Sequence, residues 1–251
     1  MSYELTLHLI IDALLTSSIL YIVLKHIKKA EKFYAQSGLE WEERQKYEKT
    51  LGQRLDNYHL SSRLTKTCFV GVGGGGCNII QDISKIDNRH KFIHVNSDLQ
   101  ALQLKTSRHK LLLGFDAKAG LGCGGKEQCG KDLVNDDVKS QLLALTKDEK
   151  TVYVVSSLGG GVGSGATPEI VEYLKTLDKE IVVFAIMPFT FEGKMKTSVA
   201  GNAISRIKSS AENVVIINND DLILNGNPAA GNREIFKMTS NIIYKRIADG
   251  I

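Results

Sequence analysis

Cysteine is scarce in this 251-residue sequence, and the four present carry no metal-binding pattern. Cys68, Cys77, Cys123 and Cys129 show neither a CxxC nor paired zinc spacing. A chain of this length has no need of a disulfide framework to hold a core. Reduced cytosolic thiols are therefore expected, with redox or metal chemistry the alternative for Cys123 and Cys129, which share a glycine-rich loop. Charge of one sign is also in short supply. The formal net charge is +4, and the excess sits in Lys25–Lys66, which holds ten Lys/Arg against six Asp/Glu. The near-neutral remainder gives little support to a nucleic-acid face. No internal repeat or low-complexity tract is present, which excludes repeat arrays. GxxxxGK[ST] is absent as well, which excludes an ordinary P-loop hydrolase. What is there, 43% hydrophobic and 24% charged residues, suits one sizeable globular domain plus something extra.

The extra part is N-terminal. Leu5–Leu24 is mostly Leu, Ile and Val, and twenty helical residues cover about 30 Å, the hydrocarbon thickness of a bilayer. Twelve Leu/Ile/Val, at about −0.3 to −0.6 kcal/mol each, outweigh Asp12 at about +2.5 to +3.5 kcal/mol, although His8 and the Thr/Ser cluster narrow the margin. Lys25, His26, Lys28 and Lys29 follow the run and no base precedes it. The expectation is an uncleaved single-pass anchor of the inner membrane over residues 1–25, with the rest of the chain cytoplasmic. The alternative is an amphipathic helix lying on the membrane or in a partner's groove, because His8, Asp12 and Thr16 form a polar stripe. Residues 26–65 are basic, with Phe33, Tyr34, Leu39, Trp41, Tyr47, Leu51, Leu55 and Tyr58 spaced as a helical face. They read as a helical stalk or linker.

From Thr67 the pattern changes. Cys68–Val72, Phe92–Val95, Lys110–Leu113, Val152–Ser156, Ile181–Met187 and Val214–Ile217 read as strands separated by helical stretches. Such alternation predicts a doubly wound α/β fold, a mainly parallel Rossmann-like sheet covered on both faces. Ligands of these sheets sit beyond the carboxyl ends of the strands. Three glycine-rich stretches fall there: Gly71–Asn78, Gly120–Gly125 and Gly159–Gly165. The first satisfies GxGxxG through Gly71, Gly73 and Gly76, with Asp98 at the distance of a ribose-binding acid. Taken alone it would suggest a dinucleotide enzyme, but that reading leaves the other two loops without a role. Bare amides leading into a helix make an anion site, so three such loops on one rim point to a polyphosphate wrapped from several sides. Tyr153 and Phe184, aromatics on strands, read as core.

The motifs GVGGGGCN (71–78), NSDLQAL (96–102), GLGCGG (120–125), GGGVGSGATP (159–168), PFTFEGK (188–194) and INNDDL (217–222) resemble, in order and spacing, those of FtsZ, the bacterial cell-division GTPase of the tubulin superfamily. The similarity runs from Lys66 to Ile251 and implies GTP or GDP with Mg²⁺ as ligands. On that resemblance Gly73, Gly74, Gly75, Gly76, Cys77 and Asn78 would line the phosphates and approach the guanosine. Gly160, Gly161, Val162, Gly163 and Ser164 would cap the β- and γ-phosphates, and Gly122 and Gly124 would belong to the third loop. Asp98 and Gln100 would stand near the γ-phosphate and a water-linked Mg²⁺. Glu192 would bind ribose beside Lys196, and Asn219 and Asn241 would read guanine. The plain alternatives are a helix cap for Asp98, a turn residue for Asn219 and an ordinary helix position for Asn241.

Departures from the family pattern are also legible. Val162 stands in place of a threonine and Lys196 in place of an arginine. Ile242 replaces an aspartate, and the base-stacking aromatic near Phe236 and Lys237 is offset by one position. Asn241–Ile251 resembles the start of the family's central helix, so the acidic loop that activates water and the second domain are not in this sequence. The resemblance implies no catalytic residue within 66–251 and a subunit that hydrolyses little GTP by itself. Such a subunit would tether, cap or modulate FtsZ-type filaments, or form a homo-oligomer. The alternatives are a polymerising GTPase of cell division whose catalytic loop and second domain are missing from this sequence or supplied by a partner, and a nucleotide-bound scaffold that does not hydrolyse.

Overall fold

Apolar, β-branched runs that must be buried on both faces build the centre of this molecule. The computed structural model describes residues 67–114, 120–224 and 232–250. The expected anchor at 1–25 and stalk at 26–65 lie outside them. Among the described residues no helix is long and apolar enough to cross a membrane.

Six parallel strands form one sheet: β1 (Thr67–Val72), β2 (Lys91–Asn96), β3 (His109–Leu112), β4 (Thr151–Ser157), β5 (Glu180–Met187) and β6 (Asn213–Asn218). Their order is β3-β2-β1-β4-β5-β6. Every expected strand is present, with ends displaced by one residue at most. The helices are α1 (Gly73–Ile86), α2 (Leu99–Gln103), α3 (Glu127–Asp132), α4 (Asp136–Thr146), α5 (Gly161–Lys175), α6 (Lys194–Ser210), α7 (Asn219–Leu224) and α8 (Asn232–Ala248), with a 3₁₀ turn at Thr190–Glu192.

Strand alternation sends side chains to two separate cores. Val70, Val95, Val154 and Val183 face Leu142, Ile170, Leu174 and Ile207 of α4, α5 and α6. Phe69, Tyr153, Phe184 and Ile186 face Ile79, Ile80 and Ile83 of α1 and Ile243 and Ile247 of α8. Tyr153 and Phe184 are thus core residues, as expected. Phe69 lies at 5.1 Å, ring centre to ring centre, from both Phe92 and Tyr153. The Ser240 hydroxyl donates to the Ile79 carbonyl at 3.1 Å, and the Tyr244 hydroxyl to the Asp87 carboxylate at 3.1 Å, so α8 is fastened to α1 and the turn after it.

Candidate functional site

Neighbouring strands β1 and β4 hand the chain to helices on opposite faces, α1 and α5, which opens a crevice at their carboxyl ends. A cavity of about 530 Å³ occupies it. Glycine decides its shape. Gly73 turns out of β1 at φ +73°, a left-handed conformation that suits a residue without Cβ. A Cβ at Gly163 would lie 2.1 Å from the Ser157 carbonyl, and one at Gly76 would lie 2.3 Å from that of Val155. Only glycine lets both helices begin this close to β4. Neither α1 nor α5 has a side-chain cap at its N-terminus, so the first amides of both helices face the cavity without a side-chain partner.

Ser156 fastens the cradle from beneath. Its hydroxyl donates toward the Gly163 carbonyl at 3.2 Å and the Val72 carbonyl at 3.4 Å, and it accepts from Thr167 at 2.9 Å. Ser164 accepts the Gly159 amide at 2.8 Å, which fixes the turn before α5.

Of the residues singled out from sequence, Gly73, Gly74, Gly75, Asp98, Gly122, Gly160, Gly161, Val162, Gly163, Glu192, Lys196 and Asn219 line this cavity. Gly76, Cys77, Asn78, Gln100, Gly124, Ser164 and Asn241 do not. Cys77 turns inward, its thiol directed at the carbonyls of Gly71 and Val95, and burial pushes it up to about 12. Asn78 accepts a hydrogen bond from Lys105, while Gln100, Gly124 and Asn241 are exposed. Asp98 takes on the plain role as well, accepting the Ala101 amide at 2.9 Å as the cap of α2. The Glu192 carboxylate accepts the Phe189 amide at 2.9 Å and pairs with Lys196 at 2.8 Å. Phe236 itself lines the cavity, so the offset seen in the sequence does not remove an aromatic from the wall.

Sequence reasoning missed Asn96, Ser97, Ser157, Phe189 and Phe191, all of which line the cavity. Phe189 and Phe191 stack with centroids 4.8 Å apart. The rule that ligands gather past strand ends would have found them, since they follow or close β2, β4 and β5. Two buried oxygens of the wall have no hydrogen-bond partner, Oδ1 of Asn219 and Oγ of Ser157. Orphaned buried acceptors of this kind are costly unless a ligand or water meets them.

The thiol expectation needs correction for two residues. Cys123 and Cys129 form a disulfide, with Cα atoms 5.7 Å apart. The fold brings α3 back beside the loop, which a six-residue separation does not announce. Cys68 and Cys77 are free and buried, as expected of structural thiols.

Among the described residues no group of three His, Cys, Asp or Glu side chains is placed to hold a metal. A lone carboxylate such as Asp98 fits Mg²⁺ in one mode, with phosphates and waters supplying the remaining ligands.

A family model for the Tubulin/FtsZ family, GTPase domain, matches residues 66–226. The chain belongs to the Tubulin/FtsZ family. The cell division protein FtsZ of Helicobacter pylori strain J99 is 30% identical over 185 residues, covering 73% of this chain and 48% of that protein. The empty FtsZ dimer of M. jannaschii superposes with a TM-score of 0.67 at 26% identity, over 84% of this chain and 58% of that one. CetZ2 from Haloferax volcanii, solved as a GTPγS-bound protofilament, gives 0.66 at 25% identity, over 73% of this chain and 57% of that one. The chain spans about half the length of the curated relatives it matches. The matched stretch contains β1 to β6 and the cavity walls they carry.

Proposed function

We propose that the chain binds GTP or GDP in this cavity and works in FtsZ-type filaments, held at a membrane through residues 5–24. The observation that carries the nucleotide reading is the pairing of two kinds of unmet group in one crevice. Uncapped helix N-termini at Gly73 and Gly161 offer donors suited to phosphates. Asn219 Oδ1 is an unpartnered acceptor suited to the N–H edge of guanine. Phe236, Phe189 and Phe191 supply aromatic surface in the same wall. Mg²⁺, when bound, would neutralise phosphate charge, with Asp98 the carboxylate nearest that role.

Filament partnership is supported by family membership and by the FtsZ dimer and CetZ2 protofilament among the similar structures. The membrane tether is supported by the apolar run of the sequence, and the role that fits both is to tether, cap or modulate a filament. Weak hydrolysis by the chain itself is part of the same reading, and Val162, which keeps an amide at the cradle but lacks a hydroxyl, with Lys196, which keeps charge but not a guanidinium fork, would leave nucleotide binding in place but weakened. Pelleting tests the proposal: the full chain is mixed with full-length FtsZ, Mg²⁺ and GTP or GDP. Co-sedimentation dependent on GTP, with little phosphate release by the chain alone, is expected. Brisk turnover by the chain alone would favour a self-sufficient polymerising GTPase, and nucleotide that neither exchanges nor turns over a scaffold. Carbonate extraction checks the tether, since release of the full chain to the soluble fraction would remove a spanning helix.

A further inference from the structure

The Cys123–Cys129 disulfide stands against the cavity, and the nucleotide reading makes no use of it. Cys123 is 8% exposed and lines the cavity, while Cys129, on α3, is partly buried. The 120–126 loop that carries Cys123 has few other anchors. Gly120, Gly122, Gly124 and Gly125 all adopt positive φ, and a side chain at Gly124 or Gly125 would meet nothing within 4 Å. Leu121 is 84% exposed. At its start the loop is held by the Leu99 amide donating to the Gly120 carbonyl at 3.0 Å and by the Gly122 amide donating to Ser97 at 3.2 Å. Past Gly122 its ties are the disulfide, the Ser97 hydroxyl donating to Cys123 Sγ at 3.9 Å, and the Lys126 backbone, whose amide donates to the Cys123 carbonyl at 3.1 Å and whose carbonyl accepts the Gly130 amide at 3.4 Å.

The other end of the tether is firmly seated. A Cβ at Gly130 of α3 would lie 2.2 Å from the Gly161 carbonyl, and one at Gly165 of α5 would lie 2.0 Å from that of Glu127, so the two helices touch backbone to backbone. A Cβ at Gly161, where α5 begins, would lie 2.9 Å from Cys123 Cβ. The bond therefore clamps a glycine-rich cavity loop to the α3–α5 pair, of which α5 presents anion-binding amides.

We propose that Cys123 and Cys129 form a thiol–disulfide switch on nucleotide affinity: bonded, they hold the 120–126 loop against the start of α5, and reduced, they release it and weaken the site. This inference rests on the cavity being a nucleotide site. The reductant is a dithiol. Its thiolate attacks one sulfur of the pair to give a mixed disulfide, and its second thiol then displaces the protein sulfur. The dithiol leaves as a disulfide, and Cys123 and Cys129 gain two electrons and two protons as a pair of thiols. Coupling of this kind is reciprocal, so bound nucleotide makes the pair harder to reduce by the same factor.

The test is calorimetric titration of GTP with Mg²⁺ into the full chain, oxidised and after dithiothreitol, with the new thiols counted by alkylation and mass. The dissociation constant is expected to rise about tenfold on reduction, within the usual range of such couplings. Cys129→Ser, which removes the bridge without altering a cavity-lining residue, is expected to bind as the reduced protein does and to ignore dithiothreitol. In graded dithiothreitol, saturating GTP is expected to shift the thiol–disulfide equilibrium by the same factor. Affinities equal within about twofold in the two redox states would overturn the switch and leave the nucleotide reading standing. Absence of heat in both states would overturn the nucleotide reading and the switch with it. If Cys129→Ser fails to fold, the two wild-type titrations still decide.

Discussion

Asn219 closes β6 into α7 with an amide oxygen that is buried at the cavity wall and meets no partner in the protein. A residue placed so has its hydrogen-bonding capacity reserved for something that enters. Asn219→Ala is expected to weaken GTP binding about tenfold, the worth of one buried hydrogen bond. The melting temperature should hardly move, because the protein loses no contact of its own through that oxygen. Competition binding with a fluorescent guanine nucleotide measures the first effect and calorimetric melting the second. His94 is also fully buried without a partner for either ring nitrogen, but it belongs to stability. Burial first, then Lys105 and Lys110, hold its pKa down at about 4, against 6.5 when free. The unfolded chain therefore binds the extra proton first as pH falls. Stability is full above pH 6.5 and drains toward pH 4, by on the order of 3 kcal/mol. Asp87 acts in the same direction at lower pH: Arg89 beside it, helped by Tyr244, holds its carboxyl below the usual range, so its contribution is lost on further acidification. Urea unfolding of the wild type between pH 7 and 4.5 should show the first slope and His94→Leu should flatten it; an unchanged slope in the variant would assign the acid sensitivity elsewhere.

Elements show more plainly what the sequence could and could not convey. The four inner strands were legible because burial on both faces demands near-continuous apolar runs, the part-exposed edge strands β3 and β6 were legible from shorter apolar stretches, and all their ends agree within a residue. The glycine loops were legible because amides must be bare where phosphates are bound. Helical phase was harder to see. The motif at 71–78 reads as one loop, yet α1 begins at Gly73, and its turns carry Gly76 and Cys77 to the sheet while Gly74 and Gly75 stay at the cavity. Asn96 and Phe189 lie inside the motifs at 96–102 and 188–194 without being singled out, and Ser157 lies in none; position at or past a strand end is the signal all three share. The Cys123–Cys129 bond depended on α3 folding back over α5, which no local spacing encodes. Two glycines make a paired prediction about helices. Gly163→Ala would force a Cβ to 2.1 Å from the Ser157 carbonyl, so it should destabilise by about 3 kcal/mol and displace the start of α5. Gly201→Ala, on the exposed face of α6 with nothing within 4 Å, should stabilise by about 0.5 to 1 kcal/mol through helix propensity. Thermal melts of the two variants should move in opposite directions.

Across the whole molecule, one sheet with the strand order β3-β2-β1-β4-β5-β6 gathers the ends of distant segments at a single rim. Glycines of three separate loops, Gly73–Gly75, Gly122 with Gly125, and Gly159–Gly161 with Gly163, line that rim. The proposed base selectivity follows from where the unmet acceptor lies: adenine presents a different pattern of donors and acceptors on the same edge. Calorimetric titration of the full chain with GTP and with ATP, in Mg²⁺, tests this most directly. The account predicts saturable heat with GTP, at least about tenfold weaker binding of ATP, and loss of that preference in Asn219→Ala. Equal affinities for the two nucleotides, or no heat with either, would contradict it.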